Sequence, residues 1–104
     1  MTMLEIKLIE SMKQAMLLKN KDASIENITR YVTLKNILET ARKVAKEKNI
    51  DVTDVIIIDV ARAEIKQLNE LLDCCDDKEK ILEINSAIKV AGRFGYINKC
   101  VMLA

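Results

Sequence analysis

DVTDVIIIDVARAEIKQLNELL, residues 51–72, decides what kind of protein this is. Its opening, Val55-Ile-Ile-Ile58, is a run of four β-branched residues and by itself would suit a strand. The continuation overrules that reading: Ile58, Ala61, Ile65, Leu68 and Leu72 recur at steps of three and four, the period of a helix. Asp51 or Thr53 can serve as N-cap, with Asp54 in the first turn where the helix dipole favours a carboxylate. The spacing predicts one long helix buried on a wide face.

The same reading extends outward in both directions. Downstream, Asp76-x-x-Glu79 reads as the cap of a helix carrying Ile81, Ile84, Ile88 and Ala91, with Gly92 ending it. Upstream, Ser24 caps a helix whose stripe is Tyr31, Leu34, Leu38, Ala41 and Ala45, and Asn49 is its left-handed stop. The first helix starts at a capping box, Thr2-x-x-Glu5, and carries Leu4, Leu8, Met12, Ala15 and Met16 before fading at residues 19–22. Residues 93–104 are apolar enough to pack back as a short helix or extended segment, or to dock on a second subunit. The expectation is an all-α protein: one domain over residues 1–104, a bundle of about four helices with a short apolar C-terminal segment.

Composition agrees. The 104 residues include no proline and two glycines, too little turn chemistry for a β-hairpin protein. The aromatic residues are Tyr31, Phe94 and Tyr96, so the core must come from aliphatic side chains, and Met3, Met12, Met16 and Met102 are expected there too. No apolar run approaches the roughly 18 residues of a membrane span, and Glu5 and Glu10 do not suit a secretory leader. Three cysteines, two of them adjacent, are no disulfide framework. A cytoplasmic protein is expected.

Catalytic signals are missing. Without histidine the chain lacks the commonest general base and metal ligand, and it has neither a phosphate-binding glycine loop nor a nucleophile elbow. Cys74-Cys75 followed by Asp76-Asp77 offers a soft-metal or redox reading, but zinc sites want paired C-x-x-C spacing or histidines, so small apolar fillers at a helix end is the better reading. Asp73, Asp76 and Asp77 form an acidic cluster in which Asp76 already has a cap to serve. We therefore expect a non-enzyme with no cofactor and no metal.

Charge is segregated along the chain. Residues 1–50 hold ten Lys/Arg against six Asp/Glu, whereas residues 51–83 hold four against ten. Two basic clusters, Lys13/Lys19/Lys21 and Arg42/Lys43/Lys46 with Lys48, are candidate phosphate contacts, because Lys/Arg neutralisation supplies most non-specific nucleic-acid affinity. No aromatic platform accompanies them, which points to backbone and shape recognition rather than base stacking. The acidic stretch from Asp51 to Glu83 supplies a second candidate surface, with Asp54, Asp59 and Glu70 as its contact residues for a basic protein partner.

Leu4-Glu5 through Met12-Lys-Gln-Ala-Met16, then Lys21-Asp22, resembles the first helix of the GatB/YqeY family, with its D-M-K-x-A-M-K…K-D pattern. Arg30, Glu39 and Arg42 sit roughly at that family's second-helix positions; Asp51-Val-Thr-Asp-Val55 looks like its L-T-D-E-E helix start, and Ala63-Glu-Ile-Lys-Gln67 is similar to its E-x-K-Q-R stretch. The likeness covers about residues 4–72. It implies a helical domain that, in amidotransferase members, helps hold tRNA during transamidation. The chain departs from the pattern in having no Y-L-P turn, and Lys66-Gln-Leu-Asn-Glu-Leu71 stands where the family has K-Q-R-x-D-S.

Two functions follow as expectations. One is a non-catalytic accessory domain binding tRNA or other structured RNA through Lys13, Lys19, Lys21, Arg42, Lys43 and Lys46. The other is a small protein-interaction module, an adaptor or mobile-element inhibitor, acting through the acidic stretch. A homo-oligomer built on the stripe of residues 31–45 and the apolar tail is compatible with either.

Overall fold

Thr53 caps the decisive helix. In the computed structural model, which describes residues 1–96, its hydroxyl accepts from the Ile56 N–H at 3.2 Å and its backbone is extended, as an N-cap requires. The β-branched run is helical: Ile56, Ile57 and Ile58 are all buried, two of them fully, within α3 (Asp54–Asp73). Three consecutive buried residues cover more than half the helix circumference, so neighbours must enclose this end of α3 from several sides. Those neighbours are α1 (Met3–Lys21), α2 (Ile25–Glu47) and α4 (Lys78–Gly95). Tertiary enclosure outweighs the modest helix cost of β-branched side chains.

Short connections make α1–α2 and α3–α4 antiparallel pairs. Glu5 meets Arg42 and Lys19 meets Tyr31 across the first pair, and Arg62 meets Gly95 across the second. One end of the bundle therefore gathers the N-termini of α1 and α3 with the C-termini of α2 and α4. The core lies toward this end: Leu4 and Leu8 of α1, Ile37 and Ala41 of α2, Ile57, Ile58 and Ala61 of α3, and Ala91 of α4 are essentially inaccessible. The expected stripe of α2 is spent here. Leu34, Leu38, Ala41 and Ala45 are buried within the protomer and spent on its own core, while Tyr31 of the same stripe is half-buried.

The helix ends follow local rules with three corrections. As expected, Asn49 takes the left-handed conformation (φ 56°). Ile50 N–H reaches Ala45 C=O and Asn49 N–H reaches Lys46 C=O, the paired bonds of a Schellman stop. Ser24 and Thr2 cap α2 and α1, each accepting from the N–H three residues on. The box at Thr2 is only half made, because the Glu5 carboxylate turns to Arg42 at 3.9 Å. At α4 the cap is Asp77, not Asp76: the Asp77 C=O accepts the first helical bond, from Ile81, and its carboxylate accepts from Glu79 N–H.

Gly92 does not end α4, which continues to Gly95. Continuing the helix costs about 1 kcal/mol at one glycine, whereas burying Phe94, 5% exposed, returns roughly 1.5–3 kcal/mol. Residues 93–95, expected in the apolar tail, thus belong to α4 and Tyr96 is its C-cap; residues 97–104 lie outside the described residues. The methionines split. Met12 packs against the core as expected, but Met3 and Met16 are exposed, and Met102 lies outside the described residues.

Candidate functional site

Away from the packed end, α3 loses its cover. Leu68 and Leu72 continue the stripe that Ile58, Ala61 and Ile65 began, yet both are only half-buried, and Leu71 is 58% exposed. An open groove of about 550 Å³ runs here between three helices. From α2 come Ile28, Thr29, Val32, Thr33 and Asn36, one broad face at steps of one, three and four residues. Glu64, Leu68 and Leu71 of α3 face them, and Glu83, Ile84 and Ala87 of α4 close the third side. Thr29 and Thr33 are buried and form the floor, while Ile28 and Val32 remain 40% and 44% exposed at the margin.

Cys74 and Cys75, expected as fillers at a helix end, line the end of this groove as free thiols. Cys74 is exposed and Cys75 half-buried, with its sulfur 3.8 Å from the Asp77 carbonyl. Among the described residues, no three His, Cys, Asp or Glu side chains converge as a metal-binding group. Around the groove's α3–α4 end the charge is acidic: residues 70–83 hold six Asp/Glu against Lys78 and Lys80, and Lys80 is already paired with Glu83 at 3.7 Å.

The basic candidates divide between the two ends of the α1–α2 pair. Lys13, Lys19 and Lys21 lie on the second half of α1, whereas Arg42, Lys43 and Lys46 lie on the last turns of α2, next to the start of α1. Along the helix axis the two groups are about 20 Å apart. Lys19 sits over the Tyr31 ring, 4.4 Å from its centroid, and Arg42 pairs with Glu5. Lys13, Lys21, Lys43 and Lys46 are exposed.

The acidic candidates do not form one face. Asp54 is half-buried, and its carboxylate accepts from the Leu4 N–H at 3.0 Å, fifty residues away in sequence. It supplies an acceptor for one of the orphan N–H groups at the start of α1 while also standing in the first turn of α3. Asp54 is thus a structural cap rather than an open contact residue. Asp59 lines a separate hollow between α2 and α3, with Val44, Lys48 and Gln67. Glu70 is exposed near the other end of α3, about 24 Å along the helix from Asp54. The groove itself escaped sequence reasoning, because its α2 wall (Ile28, Val32) lies off the stripe that marks the core.

No protein-family model, curated protein or solved structure matches the chain. The likeness to the GatB/YqeY family therefore stands on the quoted residues alone.

Among the described residues, no helix is long and apolar enough to cross a membrane.

Proposed function

We propose that this chain is a non-catalytic protein-interaction module that seats an amphipathic, basic-flanked helix of a protein partner in the groove between α2, α3 and α4. The observation that carries the reading is the coincidence of an open apolar groove with an acidic margin. Helix-in-groove recognition needs an apolar trough that takes side chains at helical spacing, and Ile28, Val32, Leu68, Leu71 and Ile84 supply one. Contiguous exposed apolar surface is uncommon on a protein that works alone. The carboxylates of residues 70–83 select against acidic partners and speed encounter with basic ones. The acidic stretch acts here through the groove margin rather than through Asp54.

A synthetic Leu/Lys amphipathic helix, its Leu/Glu counterpart and a scrambled Leu/Lys peptide test this by fluorescence anisotropy. The amphipathic basic peptide is expected to bind saturably and more weakly as salt rises, and Leu71→Asp is expected to abolish it. Equal binding of the scrambled peptide, or full binding to the Leu71→Asp variant, overturns the reading. A second copy of the chain is the rival occupant, and a dimeric mass by sedimentation that reverts to monomer in Leu71→Asp would assign the groove to self-association.

A second reading, binding of tRNA or structured RNA, draws on the family resemblance and on Lys43 and Lys46, which are exposed and form no ion pair among the described residues. Its phosphate contacts would be Lys13, Lys19, Lys21, Arg42, Lys43 and Lys46. A tRNA titration at two salt concentrations should then show salt-steep binding that a Lys43→Glu/Lys46→Glu variant loses. Binding indifferent to that variant removes this reading. A cytoplasmic setting suits both, since Cys74 and Cys75 are free thiols.

A further inference from the structure

A second, smaller hollow lies where α1, α2 and α4 meet. Its floor is apolar, made by Ala15, Leu34, Val90 and Phe94. Its polar lining is Arg30 from α2, Arg93 from α4, and Ser11 and Gln14 from α1. The volume is about 70 Å³. A hollow needs only about 10–15 Å³ of such space to hold one water, so there is room for a small ion.

Two features make this more than a gap in the packing. Arg30 Nε is buried and has no hydrogen-bond partner, the single such side-chain atom among the described residues. A buried donor on a charged group without an acceptor is costly, and a small rotation of the Arg30 side chain, which is 30% exposed, would bring Nε to a ligand oxygen in the hollow. Arg93 forms no ion pair among the described residues, so two guanidinium groups line one hollow with no carboxylate bridging them. Glu26 holds only the Arg30 Nη2, loosely at 3.7 Å and largely exposed. Glu10 lines the adjoining hollow with Lys7 and Arg93 and pairs with neither. Lys89, one turn before Arg93, adds to the positive field. Guanidinium forks are matched to the paired oxygens of carboxylate and phosphate groups, and a serine hydroxyl and glutamine amide complete such a donor set.

We infer that the hollow lined by Arg30, Arg93, Ser11 and Gln14 is an oxyanion-binding site for a phosphate-sized group. It is independent of the apolar groove, which lies against a different face of α2. Inorganic phosphate is the probe, titrated at constant ionic strength against chloride, with the Arg30 and Arg93 Nε–Hε resonances followed by NMR. The Arg30 resonance should shift saturably, and Arg93→Gln should weaken binding about tenfold or more, the loss of one charge-assisted pair. Lys66→Glu, an exposed position on α3 away from the hollow, should leave binding unchanged. Arg30→Gln removes a partly packed side chain, so the exposed Arg93→Gln and Arg93→Lys variants carry the test if it fails to fold. Phosphoserine binding more tightly than inorganic phosphate would assign the site to an ester-borne group; equal or weaker binding would assign it to the free ion. A non-saturating shift that chloride reproduces, or unaltered affinity in Arg93→Gln, overturns the inference.

Discussion

The two halves of α3 carry the same pattern and meet different fates. From Ile56 to Ile65 every stripe position is buried, and the three consecutive isoleucines are enclosed from several directions. From Leu68 to Leu72 the period continues without interruption, but the side chains are half-buried and Leu71 is open. The difference lies in the neighbours. α1 reaches α3 at the packed end, where Leu4 meets Asp54, whereas the far half faces a groove bounded by the first turns of α2 and α4. Helical spacing marks a surface that can be buried; only the arrangement of other helices determines whether it is.

That contrast can be broken most severely at the packed end. Ile57→Ala, at a fully inaccessible position, should cost about 2–5 kcal/mol in urea unfolding followed by circular dichroism. A loss below about 1 kcal/mol would mean that this end collapses around the deletion and is less rigidly packed than its burial implies.

Gly95 offers the next largest effect. An added Cβ there would stand 3.0 Å from Ile65 Cδ1 and 3.3 Å from the Arg62 backbone nitrogen, where α4 packs against α3. Gly95→Ala should therefore destabilise by about 1–3 kcal/mol through overpacking. Among the described residues, an added Cβ at Gly92 meets only the Tyr96 ring, at 3.5 Å, and Gly92→Ala should stabilise by about 0.5–1 kcal/mol through helix propensity. Thermal unfolding of the two variants should move in opposite directions.

Asp54→Ala tests the link between α1 and α3. It removes the acceptor for Leu4 N–H and should cost about 1 kcal/mol, with amide exchange at the start of α1 accelerated ahead of α3. Exchange unchanged at Leu4 would show that water replaces the carboxylate without loss.

Leu71→Ala should be the mildest change, within about 0.5 kcal/mol of the parent, because the side chain is already largely in solvent. A loss comparable with that of Ile57→Ala would erase the distinction between the halves and remove the groove's claim to be a spare surface.

Much of the fold was legible because helix ends are local. Thr2, Ser24, Thr53 and Asn49 act within a few residues of themselves, and each stands at the end its chemistry foretells. Failures came where a distant partner competes. Glu5 leaves its box for Arg42, Gly92 is carried through by the burial of Phe94, and Asp54 serves a helix fifty residues away. Of the candidate sites, the basic residues were visible as clusters in sequence, but their separation to opposite ends of the α1–α2 pair was not. The groove was invisible because its α2 wall reads as ordinary surface.

By itself the sequence determined four helices, their order and most of their caps, since periodicity and capping depend on residues three or four apart. Only the tertiary structure decided which apolar positions stay open and which charges are spent on caps and pairs. It likewise brought Arg30 and Arg93 to one hollow. Those outcomes depend on contacts between residues far apart in the chain, which no local spacing encodes.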